Sequence, residues 1–178
     1  MIERDNRTDE EREYERAEAL RQTTAQWLSE CTAAEYFVNL SPLRDHHTPQ
    51  ALQHMLNRWA GRQAKLLKTQ LAYRGMITDA GVNHRQHIHL LVWGRNRQGL
   101  TLSENHRCPQ WFDEYALRTQ ETGMWAMHEG MWASVHAEPV GDKAALIRYI
   151  AYANFSTNLF HPVQGWTNKI LQEVHSER

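Results

Sequence analysis

The amino-acid sequence predicts an α+β fold, with one central, largely antiparallel β-sheet, helices packed on it, and an N-terminal helical extension. Three observations lead to this class. Short apolar runs typical of strands alternate along the chain with segments of helical periodicity. Two of these runs are separated by only a few polar residues, which favours an antiparallel hairpin. The resulting order of elements, β-α-β-β-α-β-α, is typical of the α+β class.

The N-terminal segment predicts a helix that stands apart from the rest of the chain. Residues 3–31 are charged throughout and rich in Glu, Arg and Ala. The apolar anchors come late, at Leu20, Trp27 and Leu28, so we expect this helix to pack only through its second half. A length of 178 residues suits one domain with such an addition. We therefore divide the chain into a helical extension, 1–34, and a main domain, 35–178.

The main domain begins with a strand and a helix. The run EYFVNLSP, residues 35–42, is aromatic and β-branched and ends at Pro42, which predicts a short strand. Thr48 is suited to cap a helix with Pro49 at its first position. Apolar residues then recur every three or four positions as far as Leu67, which predicts one amphipathic helix.

The remaining elements follow from the same signals. The runs LAYRGMITDAG (71–81) and HIHLLVWG (87–94) predict the two strands of the hairpin. Beyond a polar loop, the sequence predicts a helix over residues 109–122, a strand over 124–140 and a last helix over 143–155. Asp142 is positioned to cap the last helix.

Charge is distributed unevenly along the chain. Residues 1–35 contain five arginines and ten acidic residues, a net charge of −5, whereas residues 36–178 carry a net charge of +4. The second part contains two groups of basic residues, compatible either with phosphate contacts or with a solvated surface. They are Arg58, Arg62, Lys65, Lys68 and Arg74, and then Arg85, Arg95, Arg97 and Arg107.

Several classes of protein are disfavoured by the sequence. No apolar run approaches the length of a membrane span and the N-terminus has no signal-like segment, so we expect a cytoplasmic protein without a membrane partner. Cys31 and Cys108 lie far apart, which indicates neither a disulfide framework nor a cysteine zinc site. The phosphate-binding pattern GxxxxGK[ST] is absent from the sequence, so any DNA unwinding requires another protein.

Two histidines open the second hairpin strand. Because side chains alternate between the faces of a strand, His87 and His89 point the same way while Ile88 points into the other layer. Two imidazoles on one face form half of a metal site if a neighbouring strand supplies an oxygen or nitrogen ligand. The pair is therefore a candidate metal site.

Two tyrosines share one row of the last predicted helix. The row follows the spacing i, i+4, i+7 and i+11 and consists of Ala145, Tyr149, Tyr152 and Ser156. A separate apolar row can face the sheet and consists of Leu146, Ile150 and Ala153. The tyrosines could reach toward a metal held by the histidines, or they could pack at a helix–sheet seam.

Taken together, these segments resemble the HUH endonucleases, in the branch of rolling-circle replication initiators. His87-Ile88-His89 matches the histidine–hydrophobic–histidine motif that names the family. Asp79-Ala80-Gly81 matches the acidic-x-Gly that often precedes it. Residues 134–155, SVHAEPVGDKAALIRYIAYANF, look like the family's final strand, turn and tyrosine-bearing helix. The resemblance covers about residues 35–160 and implies an HUH/Rep-like form of the fold.

The resemblance implies metal-dependent nicking and joining of single-stranded DNA. In this chemistry a tyrosine oxygen attacks a phosphodiester and leaves a covalent 5′-phosphotyrosine and a free 3′-hydroxyl. The implied cofactor is Mg²⁺ or Mn²⁺, held by His87, His89 and Asp79, which polarises the scissile phosphate. His84 and His136 are alternative third ligands. The implied role is initiation of rolling-circle replication of a plasmid or phage, with a separate helicase as partner.

Two positions depart from the family pattern. Relatives commonly carry lysine three residues after the nucleophilic tyrosine, and here that position is Tyr152. Tyr149 holds the first-tyrosine position and is the expected nucleophile, with Tyr152 either a second nucleophile or a substitute side chain. The acidic ligand is usually glutamate, and Asp79 is shorter by one methylene group.

The expected partner is single-stranded or hairpin DNA. The candidate phosphate contacts are Arg85, Arg95, Arg97 and Arg148. The candidates for stacking on unpaired bases are Trp93, Trp125 and Trp132. Two further functions stay open, namely a single-tyrosine HUH transposase and a non-catalytic DNA-binding module of the same fold. The long segment between the histidine strand and the tyrosine helix favours the initiator.

Overall fold

The structure is a computed structural model that describes residues 7–44, 47–78, 86–105, 132–152 and 161–167. Three helices are described: α1 (Asp9–Ser29), α2 (Pro49–Leu67) and α3 (Lys143–Tyr152). Five strands are described: β1 (Tyr36–Pro42), β2 (Thr69–Thr78), β3 (His87–Asn96), β4 (Trp132–Pro139) and β5 (His161–Trp166). Within the described residues, no helix is both long and apolar enough to cross a bilayer.

The five strands form one antiparallel sheet in the order β4-β1-β3-β2-β5. Strands β2 and β3 pair along their whole length, from Thr69 opposite Asn96 to Thr78 opposite His87, and so confirm the predicted hairpin. Strand β3 is the middle strand of the sheet. This architecture confirms the predicted α+β class with helices packed on an antiparallel sheet.

Short polar side chains start the helices. At α1, the Glu11 N–H donates to the Thr8 hydroxyl and the Thr8 N–H donates to the Glu11 carboxylate, at 3.2 and 2.7 Å. Thr48 caps α2 with Pro49 in its first turn. At α3, the Asp142 carboxylate accepts a 2.9 Å hydrogen bond from a backbone N–H three residues on. The caps predicted at Thr48 and Asp142 are therefore confirmed.

The sheet separates two hydrophobic cores. Helix α2 covers one face, and residues buried there include Leu52, Leu56, Trp59, Ile88 and Leu90. Helices α1 and α3 cover the other face, and residues buried there include Leu28, Phe37, Leu91, Ile147 and Ile150. Each fully buried aliphatic side chain contributes about 1.5–3 kcal/mol to the folded state. The second face is the one to which His87 and His89 belong, because they alternate with Ile88 and Leu90.

Helix α1 packs through its second half, as predicted. Leu28 is fully buried, whereas Leu20, expected to be an anchor, is 42% exposed. An arginine of β2 holds the end of the helix, since the Arg74 guanidinium donates to the Trp27 carbonyl at 2.9 Å and to the Glu30 carboxylate at 3.0 Å. The same guanidinium lies 5.1 Å from the centroid of the Trp27 ring. Helix α1 is thus attached to the histidine-bearing face of the sheet.

Strand β5 is not predicted by any local signal in the sequence. Its six residues, HPVQGW, contain a proline and a glycine, and strand propensity is low for both. The strand lies at the edge of the sheet, where proline is tolerated. The helix predicted at 109–122 and the first part of the strand predicted at 124–140 lie outside the described residues.

Candidate functional site

The two histidines lie at the start of β3, the central strand, where His87 is its first residue and His89 its third. His87 lies opposite Thr78 of β2. On the β1 side, the Nδ1 atom of His87 and the hydroxyl of Ser41 are 2.9 Å apart, within hydrogen-bond distance. His89 lies opposite Asn39 of β1 and Met76 of β2. The predicted pairing of the imidazoles on one face is therefore present, and polar side chains flank it on β1.

His89 is buried and neutral. Its side chain is 4% exposed. Burial and, to a smaller extent, the charge of the neighbouring His87 lower the pKa of His89 from 6.5 to about 4. A neutral imidazole is the form that binds a metal ion. The environment of His89 therefore keeps this ring ready for coordination throughout the physiological pH range.

Two residues paired across β1 and β3 each have a buried polar atom without a partner in the described part of the chain. Neither the Nδ1 atom of His89 nor the side-chain oxygen of Asn39 has a hydrogen-bond partner among the described residues. Each such atom costs about 1–3 kcal/mol when it is left unsatisfied. Imidazole nitrogen and amide oxygen are both atoms that can coordinate a divalent cation. The unpartnered atoms of His89 and Asn39 thus fit coordination of a divalent metal ion. Asn39 was not among the metal ligands predicted from the sequence.

Tyr149 of α3 lies against His89. The centroid of its ring is 5.3 Å from that of His89, and the ring planes are tilted by 56°. Phe37 of β1 meets the same tyrosine edge-on at 6.3 Å and lies 5.7 Å from His89. The tyrosine is nevertheless 53% exposed, so a ligand in solvent can reach it. Residues distant in the sequence therefore meet at one solvent-accessible point.

The position of Tyr149 follows from how α3 is built. The Asp142 cap starts the helix, and Ile147 and Ile150 are buried on the sheet. Tyr149, which lies between these two residues in sequence, is turned partly toward solvent and partly toward β3. Of the predicted apolar row, Ile150 is buried and Leu146 packs partly buried against the same core, whereas Ala153 lies outside the described residues.

Tyr152 lies elsewhere. Its hydroxyl donates a 2.8 Å hydrogen bond to the Glu18 carboxylate of α1, and the Arg21 guanidinium lies 5.7 Å from the centroid of its ring. The hydrogen bond to Glu18 raises the pKa of the Tyr152 hydroxyl. Of the two tyrosines on the predicted row, Tyr149 therefore contacts His89, whereas Tyr152 contacts the N-terminal helix.

The predicted third metal ligand is not among the described residues. Asp79 directly follows Thr78, the residue opposite His87, but Asp79 and the alternative ligand His84 lie outside the described ranges. The other alternative, His136, pairs with Asn39 and so lies two strands from His89, roughly 10 Å between backbones. Its ring nitrogen is 3.4 Å from Glu138. Among the described residues, no three His, Cys, Asp or Glu side chains form a metal-binding group.

The predicted DNA contacts are divided between two ends of the molecule. Arg148 is exposed on α3 beside Tyr149. Arg95 and Arg97 are exposed at the far end of β3, with Arg95 about 20 Å along the strand from His89. Trp93 and Trp132 are buried, which makes the prediction that they stack on bases wrong. Arg85 and Trp125 lie outside the described residues.

Comparisons with known proteins add no family to this description. No protein-family model, no curated protein and no solved structure matches the chain.

Proposed function

We propose that this chain is a metal-dependent endonuclease of the HUH type, which nicks and rejoins single-stranded DNA through Tyr149. One observation carries the proposal: a half-exposed tyrosine packs against the buried, neutral member of a His-x-His pair. A purely structural tyrosine at a helix–sheet seam would be buried with its hydroxyl bonded. The accessibility of Tyr149 instead suits a nucleophile that must meet a phosphate.

The proposed reaction is a transesterification. The oxygen of Tyr149 bonds to the scissile phosphorus as the bond from phosphorus to the 3′-oxygen breaks. The tyrosine proton passes to water at the exposed side of the ring, and the departing 3′-oxygen takes up a proton to become a hydroxyl. Attack by that hydroxyl on the phosphotyrosine reverses the reaction and rejoins the strand.

The residues around the tyrosine have distinct tasks in this proposal. Phe37 and His89 both pack against the ring of Tyr149, which limits the directions from which its oxygen can attack. Ser41 holds the ring of His87. His87 and His89 would hold Mg²⁺ or Mn²⁺, with Asp79 as the proposed third ligand and Asn39 as a neighbouring donor. When bound, the cation would polarise the scissile phosphate and offset the charge that develops on it.

Tyr149 is the better nucleophile of the two tyrosines. The Tyr152 hydroxyl donates a hydrogen bond to the Glu18 carboxylate, which raises its pKa, so its phenolate forms less readily than that of a free tyrosine. The proposed enzyme therefore acts with a single tyrosine, and Tyr152 joins the catalytic helix to α1. Within HUH chemistry we favour initiation of rolling-circle replication of a plasmid or phage over transposition, because a long segment separates β3 from α3.

The decisive experiment is to trap the covalent intermediate. The chain is incubated with a pool of single-stranded and hairpin oligonucleotides and Mn²⁺, and adducts are separated on a denaturing gel and mapped by peptide mass. Tyr149→Phe removes only the attacking oxygen, so we expect no adduct but unchanged DNA binding. Tyr152→Phe is the matched control on the same helix and should still form the adduct. An adduct on Tyr152, with Tyr149→Phe fully active, would contradict the assignment.

Metal binding is tested separately by calorimetry. We expect one Mn²⁺ site in the parent chain and none in the His87→Ala/His89→Ala double variant. If the double variant binds Mn²⁺ as the parent does, the histidine pair is not the metal site. DNA binding with no adduct in the presence of bound metal would indicate a non-catalytic DNA-binding module instead.

A further inference from the structure

A second cleft lies at the opposite end of the sheet from the histidines. It encloses about 890 Å³ where α2 ends, β2 begins and β3 turns toward its following loop. Its charged lining residues are Lys65, Lys68 and Arg97. The polar residues that line it are Thr69, Gln70, Asn96, Gln98, Asn105 and Thr167. None of the described residues that line this cleft is acidic.

The charge in the cleft comes from two separate parts of the fold. Lys65 and Lys68 lie at the C-terminal end of α2, where cations stabilise the helix dipole. That effect explains the two lysines but not Arg97, which projects from the turn after β3. Convergence of three cations without a lining carboxylate produces a site that attracts anions.

Lys68 occupies an unusual backbone conformation. Its φ of 51° and ψ of 41° place it in the left-handed region, and it is the one non-glycine residue with positive φ within the described ranges. Helices commonly end on glycine in this conformation, because a side chain there costs energy. Strained residues of this kind cluster at functional sites. Lys68 therefore presents its ammonium group from a backbone conformation that glycine would adopt at lower cost.

The walls of the cleft are preformed. The Asn105 side chain donates to the Leu67 carbonyl at 3.2 Å and to the Thr69 hydroxyl at 2.8 Å, joining the loop after β3 to the start of β2. The Asn96 side-chain oxygen accepts from the backbone N–H of Gln98 and closes the turn beside Arg97. The backbone segments that carry Lys68 and Arg97 are therefore fixed by hydrogen bonds before a ligand binds.

We propose that this cleft binds the phosphate backbone of DNA that flanks the nicking site, an inference that rests on the DNA substrate of the proposed function. The strand from His89 to Asn96 spans about 23 Å. Successive phosphates of a duplex strand are about 3.4 Å apart along the axis, so a stem must extend at least about seven base pairs to reach both sites. Shorter stems engage one end of the protein only.

The test measures binding rather than cleavage. Fluorescence anisotropy follows hairpins that share one single-stranded tail and carry stems of about five or about twenty base pairs. Parent affinity should rise with the longer stem, and the Lys68→Gln/Arg97→Gln variant should lose that rise. Loss of two phosphate contacts should also lower the ratio of Kd at 200 mM salt to Kd at 50 mM salt by about tenfold.

Two variants make the test specific. Lys68→Gly removes the ammonium while relieving the left-handed strain, so it should weaken long-stem binding without lowering the melting temperature. Arg16→Gln removes an exposed cation from α1, on the other face of the sheet, and should leave both the stem-length effect and the salt ratio unchanged. Weaker binding in Arg16→Gln to the same extent would indicate a general charge effect and overturn the site.

The remaining outcomes separate this inference from the proposed nicking activity. If Lys68→Gln/Arg97→Gln binds long stems as the parent does, the cleft is not a DNA site, whatever Tyr149 does. If a mononucleotide at equal phosphate concentration displaces the long stem, the cleft is a nucleotide site and the inference is wrong. If no covalent adduct forms but the double variant loses the stem-length effect, the cleft proposal stands and the nicking proposal fails.

Discussion

Replacing Gly75 with alanine should separate the central strand from its neighbour at the candidate site. Gly75 lies in the middle of β2 opposite Leu90, and a Cβ atom placed on it would lie 1.8 Å from the carbonyl oxygen of His89 and 2.9 Å from the Cα of Leu90. Both contacts involve backbone atoms, which cannot rotate away. The carbonyl of His89 must therefore retreat by more than 1 Å before the methyl group fits.

The cost can be worked from this geometry. Forcing an extra methyl into a packed interior costs about 1–3 kcal/mol. Moving the strands apart also weakens about two hydrogen bonds of the ladder, at about 1 kcal/mol each. We therefore expect Gly75→Ala to lower the free energy of unfolding by roughly 3–5 kcal/mol, a large part of the 5–15 kcal/mol typical of a domain.

Urea titration followed by far-ultraviolet circular dichroism measures this change. With a slope of about 2 kcal/mol per molar urea, the unfolding midpoint should fall by roughly 2 M. Gly61→Ala is the control, because Gly61 lies inside α2 and a Cβ there meets nothing within 4 Å. That variant should be more stable by about 0.5–1 kcal/mol, since alanine favours helix.

A Gly75→Ala variant whose stability lies within about 0.5 kcal/mol of the parent, the range expected for a surface substitution, would contradict this close approach. Strands β2 and β3 would then not approach as closely as described at His89. A displacement of about 1 Å at His89 should also slow adduct formation by about 100-fold in the molecules that remain folded.

Three further predictions concern the same face of the sheet. In metal-free buffer the free energy of unfolding should fall by up to about 3 kcal/mol as pH drops from 6.5 to 4, because the unfolded chain binds a proton that buried His89 does not. Urea titrations at each pH measure this fall, and the His89→Phe variant should not show it. Arg74→Ala should raise the rate of amide hydrogen exchange in α1, because it removes charged hydrogen bonds worth about 2 kcal/mol. An unchanged exchange rate would contradict the described packing of α1 on β2. At about 100 times its Kd, Mn²⁺ should stabilise the parent at pH 7 by about 2.7 kcal/mol and leave His87→Ala/His89→Ala unaffected.

Local sequence signals were sufficient to predict most of the fold. Caps such as Thr48 and Asp142 act within one helical turn, and alternation along a strand depends on neighbours two residues away. Strand β5 has no such signal, because its proline and glycine disfavour a strand and only pairing with β2 forms it. The order of strands in the sheet likewise depends on contacts between distant segments, which a pattern within one segment does not contain.

The candidate site was predictable in part for the same reason. Alternation placed His87 and His89 on one face, but nothing in their own segment indicated that Asn39 lies beside them. Helical spacing put Tyr149 and Tyr152 on one row and could not separate them. What separates them is Glu18, which lies more than a hundred residues earlier and binds only Tyr152.

The two halves of the candidate site differ in how firmly the fold holds them. The histidines lie on a strand with two more strands on each side, so exchange of its amide protons requires opening of the whole sheet. The tyrosine lies on a ten-residue helix, too short to persist without tertiary packing, and is held by a few buried side chains and by α1. Hydrogen exchange should therefore be slowest in β3 and much faster in α3. The proposed metal ligands therefore lie on the most firmly held strand of the sheet, whereas the proposed nucleophile lies on a short helix whose position depends on its tertiary contacts.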